Sequence, residues 1–207
     1  MARVTGPLMS FDASGTVAGA VVFSKWRGRN YVRRHAVPSN PRTTGQLAAR
    51  AIIAFLGADW KNLDPADQAT WEKGAESLKI SSFNEYIRIN ARDWRDQLAP
   101  SKQTPATRAS TAGLVGSLSG TPSGRQAIVT VAQTPGSDDW GMVLCRSLSG
   151  GFTATPSNAI QIAVAVPGAM IFVDGPLPVG AYYYNARIFT VDGDLGADGT
   201  ECQVDIV

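Results

Sequence analysis

The chain has 207 residues, 44% of them apolar, which is enough for one large domain or two small ones around a buried core. Nineteen Lys and Arg against seventeen Asp and Glu exclude a highly charged disordered chain. One His and two Cys exclude a disulfide-stapled miniprotein and a multi-Cys/His zinc scaffold, and they leave little catalytic hardware.

Residues 1–7 hold no uninterrupted apolar run behind their charge, so no cleaved leader is expected. The longest apolar stretch, residues 159–173, contains Gln161, Pro167 and Gly168 and falls short of the roughly 20 residues a membrane span needs. It reads as two strands joined by a turn, and no membrane partner is expected. Cys145 and Cys202 read as reduced thiols, the state expected where no secretion signal accompanies them.

Charge is segregated along the chain. Residues 1–50 hold eight bases and a single acid, Asp12, whereas residues 51–100 and 101–207 each hold more acids than bases. A basic head therefore precedes a mildly acidic body. Within the head, residues 15–24 and 31–37 are rich in β-branched and aromatic side chains and flank the polar, Gly-containing residues 25–30, which predicts a β-hairpin. On its return strand Tyr31, Arg33 and His35 share one face, and Val32, Arg34 and Ala36 the other. Pro38 and Pro41 then break regular structure, because neither can donate a ladder hydrogen bond.

Residues 43–98 read as three helices forming a small bundle. Thr43 and Gln46 have capping-box spacing, and Ala48, Ile52, Phe55, Leu56, Trp60 and Leu63 recur on one stripe. Asp64 followed by Pro65 starts a second helix that carries Trp71, Ala75 and Leu78. Ser82 and Glu85 start a third, with Tyr86, Asn90 and Trp94 along one side. Residues 99–112 carry no large apolar side chain and two prolines, and read as a flexible linker. Beyond them, seven short alternating runs separated by Gly, Pro and Asp turns predict a β-sandwich of immunoglobulin-like size over residues 113–207, a signal that an open barrel shares. The expected organisation is α+β: a hairpin and helical anchoring domain over 1–98, a linker over 99–112 and an all-β domain over 113–207.

The single His35 lies in the basic hairpin with no acid beside it to orient a catalytic imidazole. Asp192, Asp194 and Asp198 could be imagined around a calcium ion, yet their spacing is not that of an EF-hand and Asp-Gly pairs suit turns for backbone reasons. Neither cofactor nor metal is expected, and no pair of acids stands out as a glycosidase pair. Tyr183 and Phe189, if exposed on one face, would suit either a sugar platform or packing. The basic hairpin is the constellation with functional content. Lys25, Trp26, Arg27, Arg29, Tyr31, Arg33 and Arg34, with Asn40 and Arg42 in the following loop, interleave cations and aromatics. Such a set suits an anchor on an acidic protein partner, a nucleic-acid surface, or a solvated edge that blocks aggregation.

The order of these features resembles a family of small virion proteins of tailed bacteriophages and prophages. The resemblance rests on an opening Gly6-Pro7, then Phe23-Ser24 with Gly28 and Tyr31-Val32-Arg33, and then Pro38, Asn40-Pro41, Thr43, Gln46 and Arg50. A first-helix Trp60, the Leu63 to Trp71 spacing, and a closing Asn84, Tyr86 and Ile87 complete it. Residues 180–196 are in addition similar to strand F and the following turn of fibronectin type III domains. The resemblance implies a non-enzymatic virion structural protein, made in the host cytoplasm, that oligomerises in the particle and contacts the major capsid protein or neck and tail proteins. It implies a capsid decoration protein first, then a neck or tail ring, adaptor or fibre-attachment protein, with a nucleic-acid-binding accessory role as a further alternative.

Overall fold

The computed structural model describes residues 3–4, 13–37, 40 and 42–207. Gly6, Pro7, Asp12, Pro38, Ser39 and Pro41, on which parts of the sequence reading rest, lie outside these residues. The chain divides into two compact units, residues 1–41 and 42–207. The structure is mixed α+β with a sandwich-like β domain.

The first unit is an antiparallel sheet of β1 (Arg3–Val4), β2 (Ala13–Val17), β3 (Val21–Trp26) and β4 (Arg29–Arg34), in that order. The predicted hairpin is β3 and β4, and it turns more tightly than the polar stretch suggested. Only Arg27 and Gly28 separate the strands, with φ of +49° and +80°. Two successive left-handed residues give a turn whose twist matches that of the flanking strands.

The second unit has three layers. One sheet holds β5 (Val115–Ser123), β6 (Gln126–Gln133) and β9 (Gly168–Asp174), in the order β5-β6-β9. The other holds β7 (Asp139–Ser147), β8 (Ala159–Val164), β10 (Gly180–Thr190) and β11 (Cys202–Ile206), in the order β11-β10-β7-β8. All pairings are antiparallel. Seven strands occupy the region where seven runs were expected, with β5 continuing past Leu118 to Ser123. The apolar run 159–173 does form two strands, but β8 and β9 belong to opposite sheets, so the connection between them crosses the sandwich. Between the sheets Val129, Val131, Met142, Leu144, Tyr184 and Ile188 are fully buried.

The third layer is helical: α1 (Thr44–Asp59), α2 (Pro65–Thr70), α3 (Glu72–Leu78) and α4 (Ser82–Arg95). The second predicted helix is broken into α2 and α3 at Trp71, whose buried indole donates to the Lys102 carbonyl at 2.9 Å. Helix starts also differ from expectation. Thr43 makes no side-chain cap on α1, and α4 is capped by Ser81, whose hydroxyl accepts from the Asn84 amide at 3.2 Å. Glu85 reaches forward to Arg88 instead of back to the cap, with two 2.7 Å hydrogen bonds.

The expected boundary at residue 98 is absent. The helices share a second core with the outer face of the four-stranded sheet, formed by Phe55, Trp94, Trp140, Val143, Cys145 and Phe189. Phe55 lies 5.1 Å from Trp140 and 5.6 Å from Phe189, centroid to centroid. β7 is therefore buried on both faces, which explains its continuous apolar sequence. Cys145 is a free thiol in this core, its pKa pushed well up by burial, and Cys202 is also free.

Residues 99–112 are a fixed strap and not a flexible linker. Ala99, Ser101 and Ala112 are buried. The buried Asn90 carboxamide accepts from the Ser101 amide at 2.8 Å and donates to its carbonyl at 3.0 Å, imitating a strand partner. The Lys102 amide donates to Val191 O at 2.8 Å, so the strap ties α4 to the end of β10.

Candidate functional site

The cation and aromatic set predicted from sequence centres on the β3–β4 ribbon. The register pairs Trp26 with Arg29, Ser24 with Tyr31 and Val22 with Arg33. Side chains alternate across a strand, so Trp26, Arg29, Tyr31 and Arg33 share one face of the ribbon. Lys25 and Arg34 stand on the other face with Phe23 and Val32, and Arg27 occupies the turn. The Arg27 guanidinium lies 4.7 Å from the centroid of the Trp26 ring, a spacing at which the cation is attracted to the π face.

Every residue of β4 is exposed, and Trp26 is 64% exposed. Large apolar side chains displayed this way on a narrow sheet cost hydration free energy that a partner would recover. Residues 13–41 contain five bases and no acid. Among the described residues Arg29, Arg33 and Arg34 have no ion-pair partner. The result is a cationic, aromatic surface on which Arg29, Arg33 and Arg34 carry charge without an ion-pair partner among the described residues.

Two of the nine predicted contact residues separate from this surface. Asn40 is exposed beyond the end of β4. Arg42 belongs to the second unit and is a structural contact there: it donates to the Gly175 carbonyl and lies 3.9 Å from the carboxylate of Asp174. Asp174 is buried, with Arg146 at 2.6 Å and the Tyr184 hydroxyl at 3.1 Å. His35 lies at the end of the ribbon, where its backbone amide donates to Ala20 O at 2.8 Å.

Asp139, Asp192, Asp194 and Asp198 of the second unit accept from backbone amides. Asp192 accepts from the amides of Ala109 and Ser110 at 2.7 and 2.9 Å, and from the hydroxyls of Thr107 and Thr190. Burial alone would raise its pKa, but the hydrogen bonds from Ser110, Thr190 and Ala109 outweigh it and hold the carboxyl well below the usual carboxylate range. Asp194 accepts from the Ala112 amide, Asp139 from those of Gly113 and Gly136, and Asp198 from that of Ala154. The acids imagined around a calcium ion thus bind N–H groups. Of the two readings open for Tyr183 and Phe189, packing holds for Phe189, which is fully buried in the helix-facing core. It cannot form a sugar platform.

What composition alone missed on the ribbon is the backbone of β4, which forms the open edge of its sheet among the described residues. The three arginines within the six residues Arg29–Arg34 were the signal that could have located it.

No protein-family model and no curated protein sequence matches the chain. Among solved structures the chain is similar to an Fn3-like protein from Clostridium thermocellum, at 18% identity over 47% of this chain and 96% of that one, with a TM-score of 0.34. It is also similar to the PKD domain of an M14-like peptidase from a Thermoplasmatales archaeon, at 16% identity over 46% and 98% of the two chains, with a TM-score of 0.33. The spore cortex lytic enzyme SleM of Clostridium perfringens matches at 16% identity and a TM-score of 0.35, over 45% of this chain and 28% of that enzyme. No helix among the described residues is long and apolar enough to cross a membrane.

Proposed function

We propose that this protein is a non-enzymatic structural component of a tailed-phage virion, attached to its neighbours by the exposed face of Trp26, Arg29, Tyr31 and Arg33. That face is the observation that carries the reading: four interface-prone side chains on one side of a thin sheet whose described part contains no acid. The order of motifs shared with small virion proteins supports the same reading. So does the commitment of the acids Asp139, Asp192, Asp194 and Asp198 to backbone amides, which gives them a structural task in place of a catalytic one.

Within this reading the second unit is a fibronectin type III-like sandwich with a helical layer fastened to one sheet. The three-on-four strand order and the strand-to-turn sequence of residues 180–196 support that assignment. Capsid decoration is the preferred location. A contact patch as small as one ribbon face gives modest affinity by itself, and many copies on a closed lattice turn modest contacts into durable attachment. A neck or tail ring, adaptor or fibre-attachment component is the alternative.

Quantitative mass spectrometry of purified particles, with the major capsid protein as internal reference, tests the proposal. Hundreds of copies per particle are the expected result. A small multiple of six or twelve would move the protein to the neck or tail, and absence from particles would overturn the virion role. A nucleic-acid role, favoured by the Arg and aromatic alternation, would instead show affinity falling by about 0.9 log units per phosphate contact for each log unit of salt on duplex DNA.

A further inference from the structure

We infer that the outer edge of β4 is a strand-addition site that takes an extended acidic polypeptide segment as the next strand of the sheet. The inference rests on the reading of the ribbon as a contact surface and specifies how the contact is made.

The direction of the β4 backbone can be read from one hydrogen bond. The His35 amide donates inward to Ala20 O, and in an antiparallel ladder successive residues alternate between facing the partner strand and facing away. Arg33, Tyr31 and Arg29 are in phase with His35 and bond towards β3. Closure of the two-residue turn by the Trp26 and Arg29 pair agrees with this phase. Val32 and Arg34 are out of phase, so their N–H and C=O groups point outward along the open edge. Proteins protect such an edge by covering it, bulging it, placing proline on it or lining it with charged side chains, and among the described residues β4 carries only the last device, Arg29, Arg33 and Arg34, which repels like strands but not an acidic one. β4 has no proline, and its register with β3 runs through six consecutive pairs without a shift.

The chemistry of the edge selects the occupant. A second β4 from another copy would bring a second set of Arg29, Arg33 and Arg34 to the same edge with no acid to offset either set, and like charges gathered across a strand pair are destabilising. An acidic strand places carboxylates beside those guanidiniums while its backbone meets the outward groups of Val32 and Arg34. Backbone bonds then supply affinity and alternate side chains supply specificity. A nucleic-acid strand satisfies the charges but offers no alternating amide donors and carbonyl acceptors.

The test is an NMR titration of the 15N-labelled full chain with an end-capped (Glu-Val)4 peptide, with a (Lys-Val)4 peptide and an eight-nucleotide oligothymidylate as controls. The acidic peptide should slow hydrogen exchange of the Val32 and Arg34 amides by about tenfold or more, and the basic peptide should leave them unchanged. Val32→Pro removes the outward donor without touching the bonds to β3, and should weaken peptide binding by about tenfold, while Val32→Ala, which keeps the amide, binds as the unaltered chain does. Absence of slowing at Val32 and Arg34 in the unaltered chain overturns the inference even if the proline variant fails to fold. Equal slowing by oligothymidylate, or equal binding by the proline and alanine variants, also overturns it. Absence of the protein from virions would remove the virion reading but leave this peptide result standing, so the two fail separately.

Discussion

The Phe189 ring lies across the backbone of Gly141 on the neighbouring strand, so closely that a Cβ at position 141 would meet its Cζ at 2.1 Å. Trp140 and Phe55 enclose the same ring at 5.5 and 5.6 Å. The missing side chain of one residue is thus the seat of another, and this seat joins the helical layer to the sheet.

Gly141→Ala should destabilise the second unit by about 1 to 3 kcal/mol, the usual cost of overpacking. Phe189→Ala should cost about 3 to 5 kcal/mol. In the double variant the alanine at 141 meets no ring, so its cost should largely vanish. Urea denaturation of the four proteins checks this, and additive effects would contradict the seat.

Asp192 predicts a pH dependence of known sign. Its carboxyl is held low in the folded chain, so it contributes stability at pH above the ordinary carboxylate value, and that contribution is lost as pH falls through the folded value. Asp192→Asn should therefore lower the urea midpoint at pH 7, and the gap to the unaltered chain should narrow below about pH 4. Limited proteolysis should at the same time cut the variant earlier within residues 99–112, because the Ala109 and Ser110 amides lose their charged acceptor. A gap independent of pH would contradict the assignment.

Tyr184 is fully buried between the sheets and donates to Asp174. Burial first, and the Asp174 charge second, push its phenol well above its ordinary pKa, so it remains a donor at any working pH. Tyr184→Ala should destabilise by about 3 to 5 kcal/mol, measured as a fall in urea midpoint. An unchanged midpoint would place the ring outside the core.

Combined replacement of Trp26, Arg29 and Arg33 by Ala should abolish association with particles while the far-ultraviolet circular dichroism and the melting temperature of the second unit stay unchanged. Co-sedimentation with particles lacking the protein measures the first quantity. Retained association would contradict the face as the attachment surface.

The sandwich was legible in the sequence because a half-buried strand writes its faces into a two-residue alternation. In β6, Ala127, Val129 and Val131 are buried between less buried neighbours as that rule requires, whereas in β10 Phe189 on the other face is buried as well, against the helices. The hairpin was legible for the same reason, although sequence could not narrow its turn to Arg27 and Gly28. The domain boundary was not legible. Residues 99–112 look like a linker because they bury no large side chain, yet they are held by polar groups such as Asp192, more than 80 residues away in the chain. No local window contains both partners. The continuous apolar run of β7 did carry the missing information, since a strand apolar on both faces needs a layer on each. Arg42 was grouped with the basic head by position alone, and only the fold brings it to Asp174.

The shared aromatic core has a consequence for how this protein can be cut and joined. A breakpoint near residue 100, where composition invites one, would strip Phe55 and Trp94 from Trp140 and Phe189 and leave both pieces with naked aromatic surfaces prone to aggregate. Residues 42–207 form the compact unit that keeps this core whole. Exchange at its amino-terminal edge leaves that core whole, whereas exchange inside it divides the core between two pieces.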